Sequence, residues 1–127
     1  MPNHLKLILI SVCLTFLSLH AANATCDKPN SIFFDLDEKI STVKVPVVIT
    51  DGSKCISHYS SDTNSFETTK VLKNPSHGKI NHKELTRFVY VPDSNYKGND
   101  SYAYQLCGSG RTGKKGCVNI EFDVKLQ

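Results

Sequence analysis

The stretch Phe88-Val-Tyr-Val-Pro-Asp-Ser-Asn-Tyr-Lys-Gly-Asn-Asp-Ser-Tyr-Ala-Tyr104 constrains the fold more than any other part of the chain. β-Branched and aromatic residues flank a cluster of Pro, Asp, Asn and Gly, the composition of two strands joined by a polar turn. The last segment, Cys117-Val-Asn-Ile-Glu-Phe-Asp-Val-Lys125, alternates cleanly. Val118, Ile120, Phe122 and Val124 share one strand face, and Cys117, Asn119, Glu121 and Asp123 the other.

Upstream, Ile32–Leu36 reads as a first strand. Thr42–Thr50 reads as a second, with Val43, Val45, Val47 and Ile49 on one face. Pro46 within it argues for an edge position or a bulge. Asp51-Gly52 is a turn, Ile56–Tyr59 a short strand, and Phe66–Leu72 another. The turn Asn74-Pro-Ser-His-Gly78 precedes a short extended piece, Lys79–Asn81. No segment sustains a 3.6-residue apolar period with caps. About seven short strands, with turn signals every 8–12 residues or so, predict an all-β sandwich with almost no helix.

The N-terminus reads as a targeting segment. His4 and Lys6 precede the apolar run Leu7–Leu19, and Ala22-Asn23-Ala24 is an Ala-x-Ala cleavage signal. The run is too short to cross a hydrocarbon core of about 30 Å. Residues 1–24 are therefore read as a signal peptide and residues 25–127 as one mature domain, exported to the periplasm or secreted. Cys26 lies near the cleavage site, but Asn23-Ala24-Thr25 is a poor lipidation context.

Cys13 leaves with the leader, so Cys26, Cys55, Cys107 and Cys117 remain, an even set that predicts two disulfides. Parity chooses among the three pairings. If Tyr102, Tyr104 and Leu106 face inward, Cys107 faces outward, as Cys117 does on the last strand. Opposed positions of a hairpin approach to about 4.5–5.5 Å, within disulfide reach. The expected bridges are Cys107–Cys117 and Cys26–Cys55. Zinc is the competing use of four cysteines, but the chain has no Cys-x-x-Cys spacing.

The second half resembles the bacterial immunoglobulin-like, or cadherin-like, repeats of exported adhesins and surface proteins. The resemblance rests on Pro75-Ser-His-Gly78, Tyr90-Val-Pro92, Tyr96-Lys-Gly98-Asn-Asp100, Tyr102-Ala-Tyr104 and the closing strand Val118–Val124. It covers roughly Leu72 to Leu126, in a single divergent copy, and implies an immunoglobulin-like Greek-key sandwich. Gly98 then supplies a positive-φ turn, Asp100 accepts backbone N–H groups, and Tyr104 stands where such sandwiches anchor a corner.

Charge and motifs narrow the chemistry. Removing Lys6 leaves fourteen Lys and Arg against twelve acids, with no aromatic-interleaved basic stripe, so nucleic acid is not an expected partner. Gly108-Ser-Gly-Arg-Thr-Gly113-Lys114 fits Gly-x-x-x-x-Gly-Lys, yet Lys115 follows where Ser or Thr would hold magnesium, and no helix is expected. Asp93, Asn95 and Asp100 are conceivable calcium ligands, though residues of this kind more often build turns. His77 and His82, with Glu84 nearby, lack a third convergent zinc ligand. The tyrosines read as core and corner residues rather than a sugar-stacking platform. Asn99-Asp-Ser101 fits an N-glycosylation pattern, which a bacterial export route would not use. No Gly-x-Ser-x-Gly elbow supports a nucleophilic enzyme.

The expectation is a non-enzymatic, monomeric binding or adhesion module of the bacterial envelope, with no metal and no cofactor. Its contact surface would be the cationic loop clipped at its base by Cys107 and Cys117. Arg111, Lys114 and Lys115 would meet a protein or an anionic glycan there. The alternative is an accessory or inhibitor protein that blocks a periplasmic enzyme with the same loop.

Overall fold

The computed structural model describes residues 24–37 and 40–127, so the leader expected at residues 1–24 lies outside it apart from Ala24. The eight strands are β1 (Thr25–Asp27), β2 (Ile40–Thr50), β3 (Cys55–His58), β4 (Ser65–Lys73), β5 (Gly78–Glu84), β6 (Arg87–Pro92), β7 (Gly98–Ser109) and β8 (Lys115–Leu126). They form a five-stranded sheet, β1-β2-β8-β7-β4, facing a three-stranded sheet, β3-β6-β5. This is the immunoglobulin-like Greek-key arrangement, with β1 and β2 added to the sheet that holds the β7–β8 hairpin.

Alternation fixes what faces inward. Val45, Val47 and Ile49 of β2 meet Tyr102, Tyr104 and Leu106 of β7 and Val118, Ile120, Phe122 and Val124 of β8 in one core, closed from the other sheet by Phe88 and Tyr90. Each large apolar side chain so buried contributes about 1.5–3 kcal/mol. The rings also stack: Phe88 on Tyr104 with centroids 4.2 Å apart, Tyr90 on Tyr102 at 5.0 Å, and Tyr102 on Phe122 at 4.5 Å.

β2 runs parallel to β8 from Ile40 opposite Cys117 to Ile49 opposite Leu126. The Ile49 carbonyl accepts the Gln127 N–H at 2.9 Å and so points toward the β8 side. Alternation then turns the backbone groups of Thr42, Lys44 and Pro46 to the opposite edge. β1 covers only Val48–Thr50 of that edge. Pro46 thus sits where a missing N–H costs no ladder bond, which meets the edge expectation without a bulge.

Two expectations are corrected. Ile32–Leu36 belongs to no ladder, although its alternation is real: Leu36 is fully buried, Ile32 and Phe34 are partly buried, and Phe33 and Asp35 are exposed. Period-two burial selects a face but supplies no hydrogen-bonding neighbour, and the edge of the sheet is taken instead by Thr25–Asp27. The second correction concerns the corner tyrosine. The Tyr104 hydroxyl is buried with no hydrogen-bond partner among the described residues, and burial pushes its pKa up to about 12.

Tyr90 does the anchoring, donating to the Asp100 carboxylate at 2.8 Å. Asp100 also accepts N–H groups from Ser76 at 2.9 Å, His77 at 3.0 Å and Ser101 at 2.9 Å. One carboxylate thereby joins β6, β7 and the turn ahead of β5. Gly98 begins β7 at φ +139, and a Cβ there would stand 2.9 Å from the Tyr96 hydroxyl. Only glycine enters the strand in that way without strain.

Candidate functional site

Both disulfides pair as expected. Cys26 is bonded to Cys55 with Cα atoms 5.4 Å apart, tying β1 of one sheet to β3 of the other. This uses the sulfur that lipidation would need. Cys107 and Cys117 lie directly opposite in the β7–β8 ladder, and their Cα atoms are 4.1 Å apart. Two disulfides place the described domain in an oxidising, extracytoplasmic environment. No helix among the described residues is long and apolar enough to cross a membrane.

The hairpin does not open at the clip. β7 and β8 stay paired to Ser109 opposite Lys115, leaving only Gly110–Lys114 as the tip. Gly110 N–H donates to the Lys114 carbonyl, and Gly113 N–H to that of Gly110, both at 3.0 Å. The Asp37 carboxylate then reaches across and accepts the Thr112 N–H at 3.0 and 3.3 Å. A Cβ on residue 110 would lie 2.4 Å from the Asp37 carboxylate, so glycine permits the approach. The Thr112 N–H is the main reason that the Asp37 carboxyl titrates below its ordinary range.

The three expected contact cations part company. Lys115 is paired with Glu67 of β4, which also accepts the Ser109 hydroxyl at 3.3 Å. Hydrogen bonding to that ammonium holds the Glu67 carboxyl below its ordinary range. Lys115 is therefore a brace between hairpin and neighbouring strand. Arg111 and Lys114 remain exposed at the tip.

Arg111 gains a neighbour that sequence reading missed. It borders two shallow grooves whose other walls include Phe33, Phe34 and Asn64. Phe34 turns in, its ring 6.2 Å from that of Phe66, while Phe33 is 89 % exposed. The signal was present in the alternation of Ile32–Leu36, which leaves Phe33 on the face opposite the core. An exposed phenyl ring on the Ile32–Leu36 segment and a guanidinium on the hairpin tip, itself held at three points, thus border one groove.

The remaining candidates resolve into structural roles. The two Asp100 oxygens are occupied by the four donors described above, which sets Asp100 apart from Asp93 and Asn95 as a turn anchor. The Asp93 backbone carbonyl accepts the Tyr96 N–H at 3.3 Å, and Asn95 takes the left-handed conformation at φ 63. Among the described residues, no group of three or more His, Cys, Asp or Glu could hold a metal ion. His77 stacks on Tyr96 at 3.7 Å, whereas His82 meets the edge of Tyr104 at 5.4 Å, so the two histidines serve different neighbours. Tyr90, Tyr102 and Tyr104 are core and offer no ring face to a sugar. The Gly108–Lys114 motif is strand and hairpin tip followed by β8, with no helix behind it to receive a phosphate. A scan of protein-family models and a search of curated proteins found no match to the chain.

Proposed function

We propose that the chain is an exported, non-enzymatic binding module of the bacterial envelope, periplasmic or secreted, that grips a protein or an anionic glycan with the hairpin end of its sandwich. The observation that carries this reading is that Arg111, on a hairpin tip that is already fixed, borders the same groove as the exposed Phe33. Arg and aromatic side chains are the residue types that dominate binding energy at interfaces. The Cys107–Cys117 clip, the Asp37–Thr112 bond and the Lys115–Glu67 pair lower the ordering cost of docking. Lys114 contributes attraction for an anionic partner, and Lys115 acts indirectly through its brace.

The test is retention from envelope extract. Arg111→Ser and Phe33→Ala should each weaken retention by tenfold or more, since hot-spot truncations cost about 2 kcal/mol or above. Unchanged retention by both variants refutes the reading. Retention of polysaccharide or outer membrane marks an adhesion module. Recovery of one stoichiometric enzyme marks an inhibitor acting through the same tip.

A further inference from the structure

The outer face of the three-stranded sheet has a charge pattern unlike that of the other sheet. Cys55, Ser57, Phe88 and Tyr90 point into the core, so the residues between them point out. Register arranges these in rows. Val89 lies between Ile56 and Asn81, Val91 is opposite Lys79, and Arg87 is opposite both His58 and Glu84. Lys54 and Lys83 join Ile56, Arg87 and Val89 around one shallow groove. The result is an apolar strip, Ile56, Val89 and Val91, bordered by Lys54, Lys79, Lys83 and Arg87, with Glu84 at one end and Asp93 at the other. Val91 is 46 % exposed and Ile56 36 %. On the five-stranded sheet the signs are mixed instead: Lys44 pairs with Glu121 across the ladder, and Asp123 stands beside Lys125 on β8.

We propose that this face docks on an anionic lipid surface. Charge is the first reason, because four cations against two carboxylates at the ends of the strip leave it net positive and suit a negative plane, each cation gaining roughly fivefold in affinity beside it. The apolar strip is the second: short β-branched side chains enter the headgroup boundary while lysines around them extend outward. Size is the third. Six residues of β6 at about 3.3 Å each, in three strands about 4.8 Å apart, give a face of roughly 10 Å by 20 Å, about 200 Å² against the ~800 Å² per partner of a stable protein interface. A lipid plane needs no such area and no pocket. This surface is separate from the Arg111 end, so the two proposals stand or fall independently.

The test is cosedimentation of the chain with vesicles of phosphatidylcholine alone and of phosphatidylcholine enriched in phosphatidylglycerol. Binding to the anionic vesicles that weakens as salt rises is expected, with little binding to the neutral ones. Lys79→Gln with Lys83→Gln should lower affinity for anionic vesicles roughly 25-fold, and Lys54→Gln alone roughly fivefold. Lys44→Gln with Lys125→Gln, the same charge change on the opposite sheet, should shift it far less. All variants carry the same N-terminus, so differences report the faces. Equal affinity for both vesicle types, equal effects of the two double variants, or capture by a soluble acidic polysaccharide without vesicle binding would each overturn the proposal.

Discussion

Asp100→Asn removes one charge and one acceptor from the hub that holds β6, β7 and the turn ahead of β5. In the wild type, Oδ1 serves the N–H groups of Ser76 and Ser101, while Oδ2 serves His77 N–H and the Tyr90 hydroxyl. An amide must present its NH2 group to one of these pairs. The less costly orientation places it at the Oδ2 position, because the Tyr90 hydroxyl keeps the His77 carbonyl as an acceptor at 3.3 Å. His77 N–H is then left without a partner, and the charged bond from Tyr90 is lost. At about 1.5 kcal/mol for each hydrogen bond to a charged group, the loss is about 3 kcal/mol. For a domain of about a hundred residues that lowers Tm by roughly 14 °C. Burial acts to raise the Asp100 pKa, but the donors Tyr90, Ser76, Ser101 and His77 outweigh it, so the folded carboxyl titrates below its ordinary value. Such a group contributes stability that is present above the unfolded-state pKa and lost as pH falls through the folded one. The gap between wild type and variant should therefore be full at neutral pH and narrow below about pH 4. Circular-dichroism melts across that range measure it. A neutral-pH drop of under about 4 °C, less than 1 kcal/mol, refutes the hub.

Three further predictions test the same physics elsewhere. Tyr90→Phe should cost about 1.5–3 kcal/mol in urea denaturation, whereas Tyr104→Phe should be neutral or stabilising, because it removes a buried hydroxyl that has no partner among the described residues; the reverse order would show the corner misassigned. Replacing Cys26 and Cys55 by Ala should cost about 3.6 kcal/mol and replacing Cys107 and Cys117 about 2.8 kcal/mol, from the loops they close across sequence separations of 29 and 10. Equal losses in denaturant titrations would mean that loop entropy is not what these bridges contribute. Pro46→Thr should leave Tm nearly unchanged but raise self-association in sedimentation velocity, since it restores an N–H to an open edge. A variant that stays as monodisperse as wild type would show that Pro46 does not guard that edge.

Much of the fold was legible in strand parity. The inward faces of β2, β7 and β8 follow from alternation, and the Cys107–Cys117 bridge follows from those faces. Parity says which side chains are buried together, however, and not which backbones pair. That is why Ile32–Leu36 reads as a strand and yet lacks a ladder. The tyrosines expose a similar gap. Tyr90 and Tyr104 lie on strands of equal quality, and only three-dimensional placement brings one hydroxyl to Asp100 and leaves the other unpartnered. At the hairpin tip, composition identified the cations. It could not separate Lys115, drawn off by Glu67 some forty-eight residues earlier, from Arg111, which borders a groove with Phe33.

The position of β8 has a consequence for the order of events in folding. The last of the eight described strands is the middle strand of the five-stranded sheet, with β2 on one side and β7 on the other. β2 therefore waits for a partner some seventy-seven residues downstream, as Ile40 does for Cys117. Contacts of such long range make folding slow and late. The sheet cannot close before β8 has been made, so the segments on either side of it stay unpaired until then. The two disulfides then lock a sheet that needs β8 at its centre.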